Sequence, residues 1–196
     1  MIEALGLRNF VLIGMSMGGF NTMAYASRYP DHLKAVVIVD VSPTVRVEGA
    51  RQIADFTRKQ EFASFDEAVA YAAASNPQRP VAHLRYSLFH ALKQRPDGRW
   101  ECKHQRPRDP EQSPSDRDVM VKRRESLWDE VPKIRCPGLV VRGSMSNILS
   151  SEDAERLTRA LPQGSLVTIE GASHTVQGDK PKELASALRQ FFERLP

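Results

Sequence analysis

The chain has 196 residues, about the size of one domain, and its 41% hydrophobic and 27% charged residues fit a folded globular protein. Its formal net charge of +4 is a mild excess, and its basic clusters lack interleaved aromatic residues, so we expect no nucleic-acid partner. No run of about 18 apolar residues occurs, nor does a basic segment followed by an apolar one at the N-terminus. We therefore expect no membrane partner and a cytoplasmic location.

The first part of the chain predicts a strand, a helix and a second strand. Residues 10–13 form a short apolar run without alternation, which is typical of a strand buried on both faces of a parallel sheet. A helix is predicted for residues 21–28, and Pro30 ends it. A second buried strand follows at residues 35–39 and ends at Asp40. This order is that of a βαβ unit.

The middle of the chain, residues 44–133, has a different pattern. Its apolar residues fall at helical spacing and are interrupted by prolines, so we expect a mostly helical insertion. The sequence thus predicts a core formed by residues 1–43 and 134–196, and a helical cap, or lid, formed by residues 44–133.

Strands and helices alternate again after the insertion. Strands are predicted at residues 138–142 and 166–170, and helices at residues 151–161 and 180–195. The alternation predicts the α/β fold class, with a mostly parallel sheet of about four strands.

A glycine-rich run lies between the first predicted strand and the first predicted helix: Gly14-Met15-Ser16-Met17-Gly18-Gly19. A serine in such a run sits on a strained turn, where bulky neighbours would clash with the backbone. We therefore predict that Ser16 is a nucleophile and that the backbone N–H of Met17, at the start of the helix, is one donor to the oxyanion. A structural turn and a phosphate-binding turn are the alternatives, and the phosphate fingerprints are absent.

A histidine is the expected base, because serine is a weak nucleophile until a neighbouring group takes its proton. Of the five histidines, His174 alone lies just beyond the end of a buried strand. Catalytic groups of open parallel sheets collect at such strand ends. We therefore predict that His174 is the general base.

The third catalytic residue, an acid that holds the imidazole in its useful tautomer, has two candidates. Asp40 ends the second predicted strand, at the same edge of the sheet as Ser16. Asn147, in the loop after the strand at residues 138–142, can orient a ring but carries no charge. The need for a negative charge favours Asp40, with Asn147 as the alternative position.

Metal and cofactor sites are not indicated by the sequence. Cys102 and Cys136 are far apart and no second cysteine pair accompanies them, so we interpret both as free thiols of a reducing compartment. No nucleotide-binding fingerprint occurs. We expect no metal and no cofactor.

These residues together resemble the α/β-hydrolase superfamily, in particular the bacterial fold-1 group of esterases, ring-cleavage hydrolases and haloperoxidase-like enzymes. The run around Ser16 is similar to the family's nucleophile elbow, residues 171–174 to its histidine loop, and residues 44–133 to its helical cap. Some family members place the acid at the position of Asp40 and others at that of Asn147.

The resemblance also implies that the N-terminal third of the family fold, with the loop that gives the second oxyanion donor, is absent from this chain. The strand at residues 10–13 would then be an edge strand with unpaired backbone groups. We expect either that a partner covers this edge, a second copy of the chain being one candidate, or that the chain is a truncated product of marginal stability.

The residues and the resemblance predict a serine hydrolase that acts on a small-molecule substrate. Ser16 would attack a small hydrophobic carboxylic ester, lactone or thioester, and water would then hydrolyse the acyl-enzyme. Serine at this position argues against epoxide hydrolases and haloalkane dehalogenases, which in the superfamily that this chain resembles use aspartate there. The alternative is a catalytically impaired remnant of the fold that binds a small molecule or a partner chain.

Overall fold

The computed structural model describes residues 2, 4–44, 46, 49, 51, 59–104 and 114–196, with only the backbone for residues 114–118 and 120. The chain divides into two compact units. The core unit comprises Met1–Arg46 and Ser113–Pro196, and the insert comprises Val47–Gln112.

The strands are β1 (Phe10–Met15), β2 (Leu33–Val39), β3 (Glu61–Phe62), β4 (Leu92–Gln94), β5 (Trp100–Cys102), β6 (Gly138–Gly143) and β7 (Gly164–Ile169). The helices are α1 (Met17–Arg28), α2 (Phe65–Ser75), α3 (Val81–Ala91), α4 (Pro114–Glu125), α5 (Leu127–Glu130), α6 (Ser151–Ala160), α7 (Val176–Asp179) and α8 (Pro181–Phe192). None of the described helices combines the length and the hydropathy needed to cross a lipid bilayer.

A parallel sheet in the order β1-β2-β6-β7 forms the centre of the core unit. The side chains of β2 and β6 are almost all buried, which explains why both strands are unbroken apolar runs. Met15 of β1 pairs with Val39 of β2, and Val39 pairs with Val141 of β6. The loops after these strands therefore emerge side by side. The predicted α/β class with a four-stranded parallel sheet is confirmed.

Helices cover both faces of this sheet. Successive strand residues point to opposite faces. Val36 and Ile38 of β2 are buried in a cluster with residues of α1 and α6. Val37 and Val39 are buried in a second cluster with residues of α7 and α8. Burial on both faces stabilises the sheet and holds the ends of its strands in place.

The insert contains a small antiparallel sheet, β3-β5-β4, in addition to α2 and α3. The sequence predicts a mostly helical insertion; α2 and α3 have 11 residues each, and the short sheet is an element that the sequence pattern does not predict. The turn at Pro96-Asp97-Gly98 explains it, because Gly98 adopts a φ of 82° that favours glycine. Arg95 N–H donates to Arg99 O at 2.8 Å, which joins β4 and β5 as a hairpin.

The boundary between the two units also differs from the expected one. The sequence predicts a cap that extends to residue 133, whereas the insert ends at Gln112, and α4 and α5 belong to the core unit. Leu127 and Val131 are buried in the same cluster as residues of α1. This tertiary packing assigns the two residues to the core unit, and a local sequence pattern does not predict it.

Candidate active site

Ser16 occupies a sharp turn between β1 and α1. Its backbone lies at φ 52° and ψ −118°, a combination that non-glycine residues rarely adopt. Ser16 N–H donates to Val39 O at 3.1 Å, and Ser16 O accepts from Gly19 N–H at 2.9 Å. The hydroxyl makes no capping hydrogen bond to α1. The turn thus holds a strained serine at the end of β1, with its hydroxyl uncommitted to the helix.

Two glycines around Ser16 are required by close packing. A Cβ atom on Gly14 would lie 2.2 Å from Gly18 O and 2.3 Å from Thr22 Oγ1. A Cβ atom on Gly19 would lie 2.4 Å from Val41 Cγ1. Gly18 is different, because a Cβ atom there would meet no atom within 4 Å. The turn therefore depends on Gly14 and Gly19 for space.

Met17 is the first residue of α1. The first N–H groups of a helix have no acceptor within the helix, and they carry partial positive charge. The Met17 N–H adjoins Ser16 in the chain, so it lies where negative charge would develop during attack by the Ser16 hydroxyl. This position suits the predicted oxyanion donor.

Asp40 follows β2 directly, is fully buried, and has a φ of 53°. Its Oδ1 accepts a hydrogen bond from Gly143 N–H at 2.8 Å. Its Oδ2 accepts from the Ser146 hydroxyl at 2.5 Å and lies 2.9 Å from His174 Nδ1. Three polar partners therefore satisfy this buried carboxylate, which otherwise would be costly to remove from water.

His174 lies in the loop between β7 and α7, and its side chain is 13% exposed. A carboxylate accepts hydrogen bonds and donates none, so the contact with Asp40 places the ring proton on Nδ1. In the neutral ring, Nε2 then carries the free lone pair. This is the tautomer that a general base needs.

The loop that carries His174 is held from two sides. On one side, Gly171 N–H donates to Ser144 Oγ at 2.9 Å, in the loop after β6. On the other, the N–H and the hydroxyl of Ser173 both donate to Asp179 Oδ2. Gly143 lets the two loops approach, because a Cβ atom there would lie 2.4 Å from Ser173 O. The imidazole is thereby attached to a braced loop.

The structure brings two of the predicted residues, Asp40 and His174, together and places the third, Ser16, directly after the neighbouring strand β1. Asp40 contacts His174 directly. Ser16 and Asp40 directly follow Met15 and Val39, which are paired in the parallel sheet. Within the described part of the chain, no hydrogen bond joins the Ser16 hydroxyl to His174. Such contacts often close only when substrate binds.

Asn147, the alternative acid position, is exposed in the loop after β6. The side chain of this loop that reaches the buried acid is Ser146, which also accepts hydrogen bonds from Ile148 N–H and Leu149 N–H. Sequence reasoning missed Ser146 and Asp179. A signal existed for Ser146, since it follows a parallel strand, whereas nothing local points to Asp179.

Among the described residues, no group of three or more His, Cys, Asp and Glu side chains is arranged to hold a metal ion.

Two curated proteins illustrate what the chain is similar to. An esterase of Mycobacterium tuberculosis is 28% identical over 190 residues, which cover 93% of this chain and 60% of that protein. The 2-(acetamidomethylene)succinate hydrolase of Mesorhizobium japonicum is 27% identical over 200 residues, which cover 98% of this chain and 67% of that protein. The chain thus spans about 60 to 67% of the length of these relatives.

Solved structures show the same fold. The crystal structure of the Mycobacterium tuberculosis esterase matches with a TM-score of 0.72 at 28% identity, covering 98% of this chain and 63% of that one. The crystal structure of an E-2-(acetamidomethylene)succinate hydrolase matches with a TM-score of 0.77 at 24% identity, covering 98% and 69%. A family model described as alpha/beta hydrolase fold matches residues 1–181. The chain belongs to the α/β-hydrolase fold family.

Proposed function

We propose that this protein is a serine hydrolase of carboxylic esters, with Ser16 as nucleophile, His174 as general base and Asp40 as the acid that orients it. The observation that carries the proposal is the 2.9 Å contact between His174 Nδ1 and Asp40 Oδ2, at the sheet edge where Ser16 lies. The names of the two relatives, an esterase and a hydrolase, support this class of reaction.

In the first step, His174 Nε2 accepts the proton of the Ser16 hydroxyl as the oxygen attacks the ester carbonyl carbon. The imidazole becomes positive, and the buried carboxylate of Asp40 balances that charge across the Nδ1–H bond. The carbonyl electrons move onto the oxygen. The Met17 N–H and the start of α1 stabilise this oxyanion, and one such donor contributes about 10²- to 10³-fold in rate.

In the second step, the protonated His174 gives its proton to the leaving alcohol, and the C–O bond of the ester breaks. The acyl group remains on Ser16 as an ester. His174 then takes a proton from water as the water oxygen attacks the acyl carbon, and it returns this proton to the Ser16 oxygen as the bond between Ser16 and the acyl carbon breaks and the carboxylic acid leaves. The same acyl transfer opens small hydrophobic lactones and thioesters, which we include in the proposed substrate class.

The proposal includes a reducing, cytoplasmic location. Cys102 and Cys136 are free thiols in the structure. Burial raises the pKa of both thiols, which keeps them protonated and slow to oxidise. Free thiols of this kind support a compartment in which thiols stay reduced.

A fluorophosphonate probe tests the proposed nucleophile, because it reacts covalently with activated serines. We expect labelling of the wild-type protein and none of Ser16→Ala or of His174→Ala. Ser87→Ala is the matched control, since it removes an exposed serine hydroxyl of α3 in the insert. A wild-type protein that is folded by circular dichroism and never labels would rule out the hydrolase and favour the non-catalytic alternative.

A further inference from the structure

The insert contains a cavity of about 230 Å³. Its walls come from α2, α3, β3, β4 and β5, and all of its described lining residues belong to the insert. The apolar part of the wall includes Phe62, Ala68, Ala72, Leu88 and Leu92. Cys102 lies in the wall as well, half-buried. No residue proposed for catalysis contributes to this lining.

The cavity exists because small side chains occupy positions where larger ones would fill the space. Ala68 and Ala72 are four residues apart on α2, so they lie on one face of the helix, and both are buried. Both line the cavity. Protein interiors are otherwise packed as densely as organic crystals, with few voids larger than a water molecule. A space of this volume inside a small unit is therefore suited to a ligand.

Lys59 is the lysine among the described lining residues of the cavity, and its charge is compensated. Lys59 Nζ lies 2.7 Å from Glu67 Oε1, so its charge is already paired. The same ammonium lies 5.2 Å from the ring centres of Phe62 and Tyr71. Burial raises the pKa of the Cys102 thiol, so the thiol is neutral as well. An ionic ligand would lose its hydration here, and the charge of Lys59 is not free to compensate for that loss.

We propose that the insert binds a small uncharged aromatic molecule in this cavity, through residues that have no proposed role in catalysis. A cavity of about 150 Å³ lined by Leu, Ile and Phe holds benzene, so this larger space fits a fused two-ring molecule. Phe62 and Tyr71 line the cavity, and aromatic rings add offset or edge contacts to an aromatic ligand.

Indole is the probe for this site, and Cys102 is the reporter. The full-length protein is alkylated with N-ethylmaleimide, and the modified peptides are quantified by mass spectrometry. We expect indole at ten times its Kd to slow alkylation of Cys102 about tenfold, because only the unoccupied protein reacts. Isothermal titration calorimetry should give the same Kd. Indole-3-acetate, which is anionic, should protect Cys102 far less.

Two matched variants decide where the indole binds. Ala72→Leu fills the cavity and should abolish protection, whereas Ala82→Leu adds the same atoms at an exposed position of α3 and should leave it unchanged. If thermal melts show that Ala72→Leu does not fold, Ala68→Val replaces it with a smaller addition. Ser16→Ala should bind indole like the wild type, so this test is independent of the proposed hydrolase activity.

Two outcomes would overturn the proposal. The first is a Cys102 that indole does not protect in the wild-type protein up to the solubility limit, which means that the cavity is closed or filled by the chain itself. The second is equal protection in folded Ala72→Leu and in the wild type, which places the bound indole elsewhere.

Discussion

At the scale of single residues, Asp40 combines complete burial with three polar contacts, to Gly143, Ser146 and His174. All three partners face carboxylate oxygens that can only accept. An asparagine at this position would present an N–H₂ group to one of these donors. It would also favour the tautomer of His174 with its proton on Nε2, which cannot act as a base.

We therefore expect Asp40→Asn to lower kcat about 10⁴-fold, as the equivalent amide substitution does in a serine protease. The measurement is hydrolysis of a chromogenic short-chain ester. Asn147→Asp, at the other candidate position, is the control and should leave kcat unchanged, because this side chain is exposed in the loop after β6. Full activity in Asp40→Asn would show that another group holds His174.

The three proposed catalytic residues could be singled out from the sequence because each follows a predicted strand of the parallel sheet. Ser16 follows β1, Asp40 follows β2, and His174 lies in the loop after β7, so the rule that parallel strands deliver side chains to one edge applies to all of them. The contact between Ser146 and Asp40 joins residues 106 positions apart. Such a contact depends on how two loops pack, and local patterns carry no information about it.

At the scale of elements, the turn between β1 and α1 contains two glycines that differ in the space around them: Gly14 is closely packed, and Gly18 is not. Gly14→Ala would push its Cβ atom against the backbone oxygen of Gly18, 2.2 Å away, which a rotamer change cannot relieve. We expect this variant to lose about 1–3 kcal/mol of unfolding free energy. Urea denaturation followed by circular dichroism measures it.

Gly18→Ala is the matched control, because the same methyl group meets open space there. It should remain within about 0.5 kcal/mol of the wild type and keep its probe labelling. Equal destabilisation of the two variants would mean that the turn does not pack as closely as the structure shows.

The loop that carries His174 depends on Asp179 at the end of α7, a buried carboxylate that accepts from both polar groups of Ser173. Asp179→Ala should let the loop shift and lower kcat about 10- to 100-fold with KM nearly unchanged, since a small misplacement of a catalytic group has effects of this size. Asp179→Asn should recover part of the loss, because its amide oxygen still accepts. Steady-state kinetics on the chromogenic ester separate kcat from KM.

Asp153→Ala controls for the loss of a serine–aspartate pair elsewhere in the core unit. The Ser150 hydroxyl donates to Asp153 Oδ2 at 3.0 Å at the start of α6. This variant should reduce stability while leaving kcat intact. A similar fall in kcat for both variants would indicate a general loss of folding and not a specific role of Asp179 in positioning His174.

The central parallel strands could be predicted because strands that are buried on both faces have unbroken runs of apolar residues. Residues 35–39 were expected as a strand, and β2 extends over Leu33–Val39 as an unbroken apolar run. The short strands of the insert have a weaker sequence pattern. β4 and β5 have three residues each and are stabilised by pairing with each other, and three residues are too few to show the alternation that is typical of a strand.

At the scale of the whole molecule, β1 is one of the two edge strands of the described parallel sheet, β7 being the other, and β2 is its neighbour there. Ile13, in the middle of β1, is 47% exposed. Edge strands with apolar side chains pair readily with other strands. We expect the purified chain to self-associate with rising concentration, as measured by sedimentation velocity.

Ile13→Lys should shift this association to higher concentration, because a charge on an edge strand opposes pairing. Val81→Lys, at an exposed apolar position of α3, is the control and should have no effect. A stable monomer for the wild-type chain at every concentration would exclude pairing through β1.

The positive φ of Ser16 has a consequence for the stability of the molecule as a whole. Ser16→Gly and Ser16→Ala both remove the hydroxyl, but only glycine adopts a φ of 52° without strain. In urea denaturation, the free energy of unfolding of the glycine variant should be about 1 kcal/mol higher than that of the alanine variant, because strain of this kind costs on the order of 1–3 kcal/mol. The proposed nucleophile would then be an example of a trade-off between stability and activity, in which the most stable form of the turn is an inactive one.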